Sequence, residues 1–443
     1  MRKPVAIAAV VIGVVLVGVT ATTVITGAGR TAANASPAAG TSVAPAAPAA
    51  PADQLSSTIA KAQQTLQAKP GDWQAWAVLG SAYVQQARAT ADPSYYPKSD
   101  GALQKSLALH PDGNDAALSG LGALANARHE FARAADLERQ AKAINAYGST
   151  SYGVLADALI QLGDYDGATA AAQRMLDLSP GVSSFTRASY DLELHGRTDA
   201  ARTVLQKALD DSTEPLDIAF CHTYLGQLAF NLGDLAGAEA EYSAGLVLTP
   251  DEPNLLLGVA RVQAARGETV AAVAGYQRVV DLRPLPEYLV EYGQLLESLG
   301  RTSEAKAQYA LYSTAQQLFA SNGVRDSLTG ALLDANRGLA GSAVSQAEAE
   351  WATRQNIDAA DALGWALHAA GRDTEALGYA QRATALGTRS ASFLYHRGMI
   401  EQALGMAPQA RATLTSALTT NPHFSPLFAP RAQQALTALG GPV

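Results

Sequence analysis

Side chains able to do chemistry are few and scattered in this sequence. Seven histidines stand at positions 110, 129, 195, 222, 368, 396 and 423. None has a second ligand at the helical spacing by which one helix face presents two imidazoles to zinc, so each reads as a turn or surface residue. Cys221 is the only cysteine; it excludes an intramolecular disulfide and a cysteine-based metal centre, and reads as a small buried apolar residue. Gly120-x-Gly122-x2-Ala125 has the loose outline of a dinucleotide fingerprint, but that motif needs a preceding strand and a phosphate at a helix start. Here it falls within a helical run. HExxH, GxSxG and phosphate-loop motifs do not occur in the sequence. Acidic residues gather near turns, as at Asp164, Asp166, Asp199 and Asp234, where they can cap a helix and complement its dipole. Paired catalytic carboxylates are a poor account of a feature that recurs. No enzyme activity, cofactor or metal is therefore expected.

The elements that position these residues follow from composition and period. Alanine makes up about a fifth of the 443 residues, aromatics 6%, and β-branched residues are sparse after residue 30, which favours helix over strand. A net charge of −8 and the absence of any Lys/Arg run leave nothing to neutralise a phosphate backbone, so nucleic acid is excluded as a partner. Arginine outnumbers lysine 24 to 8, and with this much Ala and Gly that points to a GC-rich bacterial coding sequence.

Arg2 and Lys3 precede an uncharged stretch from Pro4 to Gly29. Residues 1–30 read as a signal sequence or a transmembrane anchor. The stretch is long enough to cross a hydrocarbon core of roughly 30 Å, and Val5 to Val19 with Ala33-Asn34-Ala35 equally fits a cleaved signal. Either way the remainder is expected outside the cytoplasm, secreted or, if the segment is uncleaved, held at the membrane. Residues 31–53 are an Ala/Pro-rich linker, and residues 54–443 form the folded array. Asn34-Ala35-Ser36 fits a glycosylation acceptor that a bacterial source would leave idle.

One pattern, Gly-x4-Ala, recurs through that array: Gly163/Ala168, Gly196/Ala201, Gly233/Ala238, Gly267/Ala272, Gly300/Ala305, Gly338/Ala343, Gly371/Ala376 and Gly405/Ala410. Successive glycines lie 33, 37, 34, 33, 38, 33 and 34 residues apart. Each follows about a dozen residues of helical periodicity and precedes another dozen. The glycine is therefore placed at a helix C-terminus in the left-handed conformation, and the alanine where two helices approach closely. Pro111, Pro180, Pro250, Pro284 and Pro422 close several units. His129 occupies the glycine position in the second unit, with Ala134 at the alanine position.

Trp76-x2-Leu79-Gly80-x2-Tyr83, with Ala238-x3-Tyr242 and Pro250 or Ala272-x3-Tyr276 and Pro284, resembles the tetratricopeptide repeat. The resemblance implies an all-α, right-handed superhelical solenoid of about ten helix-turn-helix units from about residue 72 to 422, closed by a helix within Pro426 to Leu439. The break at Ser321-Asn322-Gly323 either divides the array or bends it. The resemblance also implies that successive first helices line a concave groove that takes a protein or peptide partner. Its outward positions read as mostly small, neutral or apolar: Ala77 and Ser81 in unit one, Thr223 and Gln227 in unit five, Leu257 and Arg261 in unit six, Trp365 and His368 in unit nine, Tyr395 and Met399 in unit ten. The Lys, Asn and Arg set by which some members clamp a C-terminal carboxylate is missing. The expected function is a non-enzymatic scaffold of the cell envelope. Its alternatives are a carrier or sensor for an apolar ligand such as lipid or glycan, which requires a closed cavity lined by Leu, Phe and Tyr, and, last, an enzyme with no recognisable motif. Core packing of Trp365, Tyr395 and Met399 competes with a binding role for them.

Overall fold

A computed structural model describes residues 51–441 as twenty-two helices. α1 (Pro51–Ala68) precedes ten pairs. These are α2 (Trp73–Thr90) with α3 (Tyr95–Leu109), α4 (Asp115–Ala127) with α5 (Phe131–Ile144), and α6 (Ser149–Leu162) with α7 (Tyr165–Leu178). There follow α8 (Val182–Leu194) with α9 (Thr198–Asp210), α10 (Pro215–Asn231) with α11 (Leu235–Leu248), and α12 (Pro253–Ala265) with α13 (Thr269–Leu282). The last four pairs are α14 (Pro286–Ser298) with α15 (Thr302–Ser321), α16 (Leu328–Asn336) with α17 (Ala340–Thr353), α18 (Ile357–Ala369) with α19 (Asp373–Ala383), and α20 (Ala391–Ala403) with α21 (Ala407–Thr420). α22 (Ala429–Ala438) packs on α21. Counting the flanking helices, the array is equivalent to eleven units.

The repeat pattern has a direct structural counterpart. All eight turn glycines adopt φ between +69° and +78°, a region costly to any residue with a Cβ. The eight alanines five residues later are at most 2% exposed, so their methyl groups set the spacing within each pair. Asp164 and Asp234 accept hydrogen bonds from Gly167 N–H (3.0 Å) and Gly237 N–H (2.9 Å), capping α7 and α11. Cys221 is buried. The core crosses the break at Ser321 to Gly323, because Phe319, Val324 and Leu333 belong to one cluster.

Consecutive first helices touch, as α2 with α4, α16 with α18 and α10 with α12, whereas no two consecutive second helices come as close. The first helices therefore form the inner wall and the second helices the outer one. The coil also closes on itself. Arg283 Nη2 donates to Ala89 O (3.3 Å), Asn356 Nδ2 to Gln161 Oε1 (3.0 Å), Ile357 N–H to Tyr165 Oη (2.9 Å) and Asn421 Nδ2 to Phe230 O (2.8 Å). These partners lie 191 to 195 residues apart, so one superhelical turn spans between five and six units and successive turns touch along a seam. At Gly163 a Cβ would meet Gln355 O of the next turn at 2.6 Å, so close approach as well as positive φ demands glycine there.

Two expectations are corrected. Among the described residues no helix is long and apolar enough to cross a membrane; membrane anchoring, and the membrane as a partner, are withdrawn. Residues 1–30 and most of the linker lie outside the described residues. The linker boundary at residue 53 also moves, since α1 already begins at Pro51.

Candidate functional site

The inner wall carries a connected set of polar side chains that runs across four first helices. Asn231 Nδ2 donates to Glu193 Oε1 (3.0 Å), Gln227 Nε2 to Asn231 Oδ1 (2.8 Å), and Arg261 Nη1 to Gln227 Oε1 (2.7 Å). Arg261 Nε and Nη2 then grip both oxygens of Glu291 (2.7 and 2.6 Å), and Tyr276 Oη donates to Glu291 Oε1 (2.5 Å). Two bidentate pairs repeat the same geometry. Arg187 holds Asp157 through Nε (2.9 Å) and Nη2 (2.8 Å), and both this pair and Arg261–Glu291 join residues 30 positions apart.

Burial decides the charge state of these groups. Desolvation opposes ionisation of Glu291, but the charge and hydrogen bonds of Arg261, with the Tyr276 hydroxyl, outweigh it and hold the carboxyl below its ordinary value. The balance reverses at Asp157, where desolvation raises the carboxyl and Arg187 only partly restores it. Glu193, bonded only to Asn231, is raised by desolvation. Glu287 is pushed up to about 8 by desolvation, with Asp326 and Glu291 adding repulsion and Arg261 opposing it. No ion pair to Glu193 or Glu287 forms among the described residues, whereas Arg261 and Glu291 are about a quarter exposed (24% and 25%), so solvent reaches this wall.

A folded carboxyl at about 8 against an ordinary 4.5 favours the folded state fully below 4.5, and that contribution is lost as pH rises through 8. Glu287→Gln should therefore melt level with the wild type at acid pH and several degrees above it in mildly alkaline buffer. Parallel melting curves at both pH values would refute this account of Glu287.

The residues expected to face the groove divide into two groups. Gln227 and Arg261 lie in the polar chain, and Thr223 sits beside it, half-buried, with its hydroxyl on Ala219 O (2.9 Å). The outward placement of Leu257, Trp365 and Tyr395 is corrected: they are 2%, 8% and 3% exposed. Trp365 stacks on His396 (4.2 Å between ring centres) and donates Nε1–H to Asn336 Oδ1 (2.7 Å), while Tyr395 packs on Phe424 and Phe428. Met399 packs partly buried against the same cluster. His368 lies at its edge, paired with Asp373 (2.5 Å). The reading of every histidine as a turn or surface residue is corrected too. His396 lies buried within α20, with Nδ1 on both oxygens of Asp361 (3.0 and 2.9 Å), whereas His129 does stand at a turn, though a buried one.

The reading of the inner wall as mostly small and neutral missed Asp157, Arg187, Glu193, Asn231, Glu287 and Glu291. A periodic signal was available. Asp157, Gln227, Arg261 and Trp365 stand six residues before a turn glycine, and Arg187, Glu291 and His396 stand nine before theirs. Each nine-before residue bonds or stacks onto a six-before residue of the preceding unit.

Two clefts accompany this wall. One of about 310 Å³ lies on the seam, lined by Leu162, Tyr165, Trp351, Asn356, Ile357 and Arg382. The other, about 480 Å³, lies between α2 and α3 and includes Trp76, Tyr83, Lys98 and Lys105. Both open to the surface and carry charged side chains, unlike the closed apolar cavity that a lipid carrier needs.

The repeat signature is matched over part of the chain by known family models. Family models of the tetratricopeptide repeat match residues 149–181, 190–253 and 223–285. No curated protein matches the chain in sequence. Among solved structures, the Cut9-Hcn1 hetero-tetramer of APC/C is 13% identical, with 88% of this chain and 94% of that chain covered and a TM-score of 0.40. The human IFIT1 dimer with PPP-AAAA is 18% identical over 71% and 73% of the two chains, TM-score 0.45. PilF of Pseudomonas aeruginosa is 18% identical over 44% and 89%, TM-score 0.37. At these identities the likeness is one of fold alone.

Proposed function

We propose that this chain of tetratricopeptide repeats is a non-enzymatic interaction module whose inner wall holds a protein or peptide partner presenting Lys or Arg side chains. An all-helical solenoid without a strand among the described residues, and a sequence without a catalytic motif, fit a scaffold. The observation that carries the choice of partner is Glu193 and Glu287 on the wall, partly accessible and without a cation to pair with. A partner cation would supply the missing charge, and the Glu287 carboxyl, pushed up to about 8 without one, would lose its proton on binding.

Calorimetry with the full chain and a lysine-rich helical peptide tests this reading. Binding should release protons and tighten from pH 6 to 8, and Glu193→Gln with Glu287→Gln should weaken it about tenfold or more. Equal affinity of the double variant, or equal binding of an acidic peptide, would refute it.

A further inference from the structure

The second unit departs from the eight units that follow it in a way that repeat packing does not explain. Its turn position, glycine in eight other units, is His129, at φ +60°. A residue with a Cβ is strained in that region and persists there only when something else holds it. The residue is 4% exposed, and neither ring nitrogen makes a well-aligned hydrogen bond, although the Arg325 backbone lies close enough to interact with the ring. Poorly satisfied polar atoms in a buried imidazole are costly for a residue that a glycine would replace with less strain.

The surroundings supply what the imidazole lacks. His129 meets the next superhelical turn, where Arg325 N–H donates to Arg128 O (3.3 Å). One donor atom each from His129, Asp326 and Glu350 lies within 4.8 Å of the other two. Asp326 comes from the loop between α15 and α16, and Glu350 from α17. The buried Glu350 receives Ser327 N–H on Oε2 (2.7 Å), while its Oε1 stands 2.9 Å from Arg354 Nε without an aligned hydrogen bond. Each carboxylate oxygen has a further lone pair to give.

We propose that His129, Asp326 and Glu350 form a binding site for a divalent transition metal of the zinc class that clips the second unit to the eighth. One imidazole and two carboxylates are an ordinary donor set for zinc or manganese. An ion at about 2.1 Å from each donor needs them to draw in by an ångström or so, within the reach of side-chain rotation. Arg354 remains on Glu350 and offsets part of the acidic charge. The metal would bridge segments almost two hundred residues apart, closing a long loop.

The test uses the full chain freed of metal by chelation, then titrated with Zn²⁺ or Co²⁺. One equivalent should bind and raise the melting temperature by several degrees, and Co²⁺ should develop the visible absorption of a mixed nitrogen and oxygen site. His129→Gly restores the residue that other units carry there, so it should fold and, without metal, melt no lower than the wild type. Its affinity should nonetheless fall about 100-fold or more, and Asp326→Asn should weaken binding in the same direction. Failure of the wild type to bind either ion, or unchanged affinity in His129→Gly, would overturn the proposal.

Discussion

Replacing Trp365 and Tyr395 together by alanine should lower the melting temperature by more than about 5 °C. Both side chains fill the core at the C-terminal end of the array, where Trp365 lies between His368, His396 and Tyr395, and Tyr395 between Trp365, Phe424 and Phe428. Truncating a buried aromatic removes transfer free energy and leaves a cavity, about 3 to 5 kcal/mol per residue. The loss should be larger than for an exposed aromatic such as Tyr147, which is 78% exposed. Thermal melts followed by circular dichroism decide the point. An unchanged transition would return these rings to the binding surface and undermine the packing scheme for units nine and ten.

Asp157→Ala should cost about 3 to 5 kcal/mol. The Arg187 guanidinium, 4% exposed, would keep a hydrogen bond to Ser183 O but lose its counter-ion, with Arg88 adding positive charge nearby. The sign reverses when both members are removed. Burial already raises the Asp157 carboxyl despite Arg187, so the pair does not fully offset the cost of its desolvation. Asp157→Leu with Arg187→Met should recover most of the lost stability. Urea unfolding of the three proteins gives the comparison, and a single variant as stable as the wild type would mean that water reaches the pair.

The turn glycines and the alanines that follow them were readable because each answers a demand within one helical pair: a positive φ at Gly233, a close approach at Ala238. Such constraints act on single positions and recur with the period. The inner-wall pairs were harder to read, because Arg187 and Glu291 find their partners in the preceding unit, through an offset that depends on how one first helix leans on the next. The seam was hidden for a stronger reason. Whether Gln161 meets Asn356 depends on the pitch of the coil, which sums small rotations over more than five units, and no local pattern records that sum. Leu257 and Trp365 show the reverse error, since an outward position on an isolated helix becomes interior once the adjacent first helix packs over it.

Stacked arrays ordinarily lose order from either end, each module depending on its immediate neighbours. The bonds from Gln161, Tyr165 and Phe230 to residues a full revolution later give distant modules a shared fate. The molecule behaves as a spring compressed until its coils touch, resisting extension until those links part. Where the coils meet, their contacts bar sideways passage to the axis.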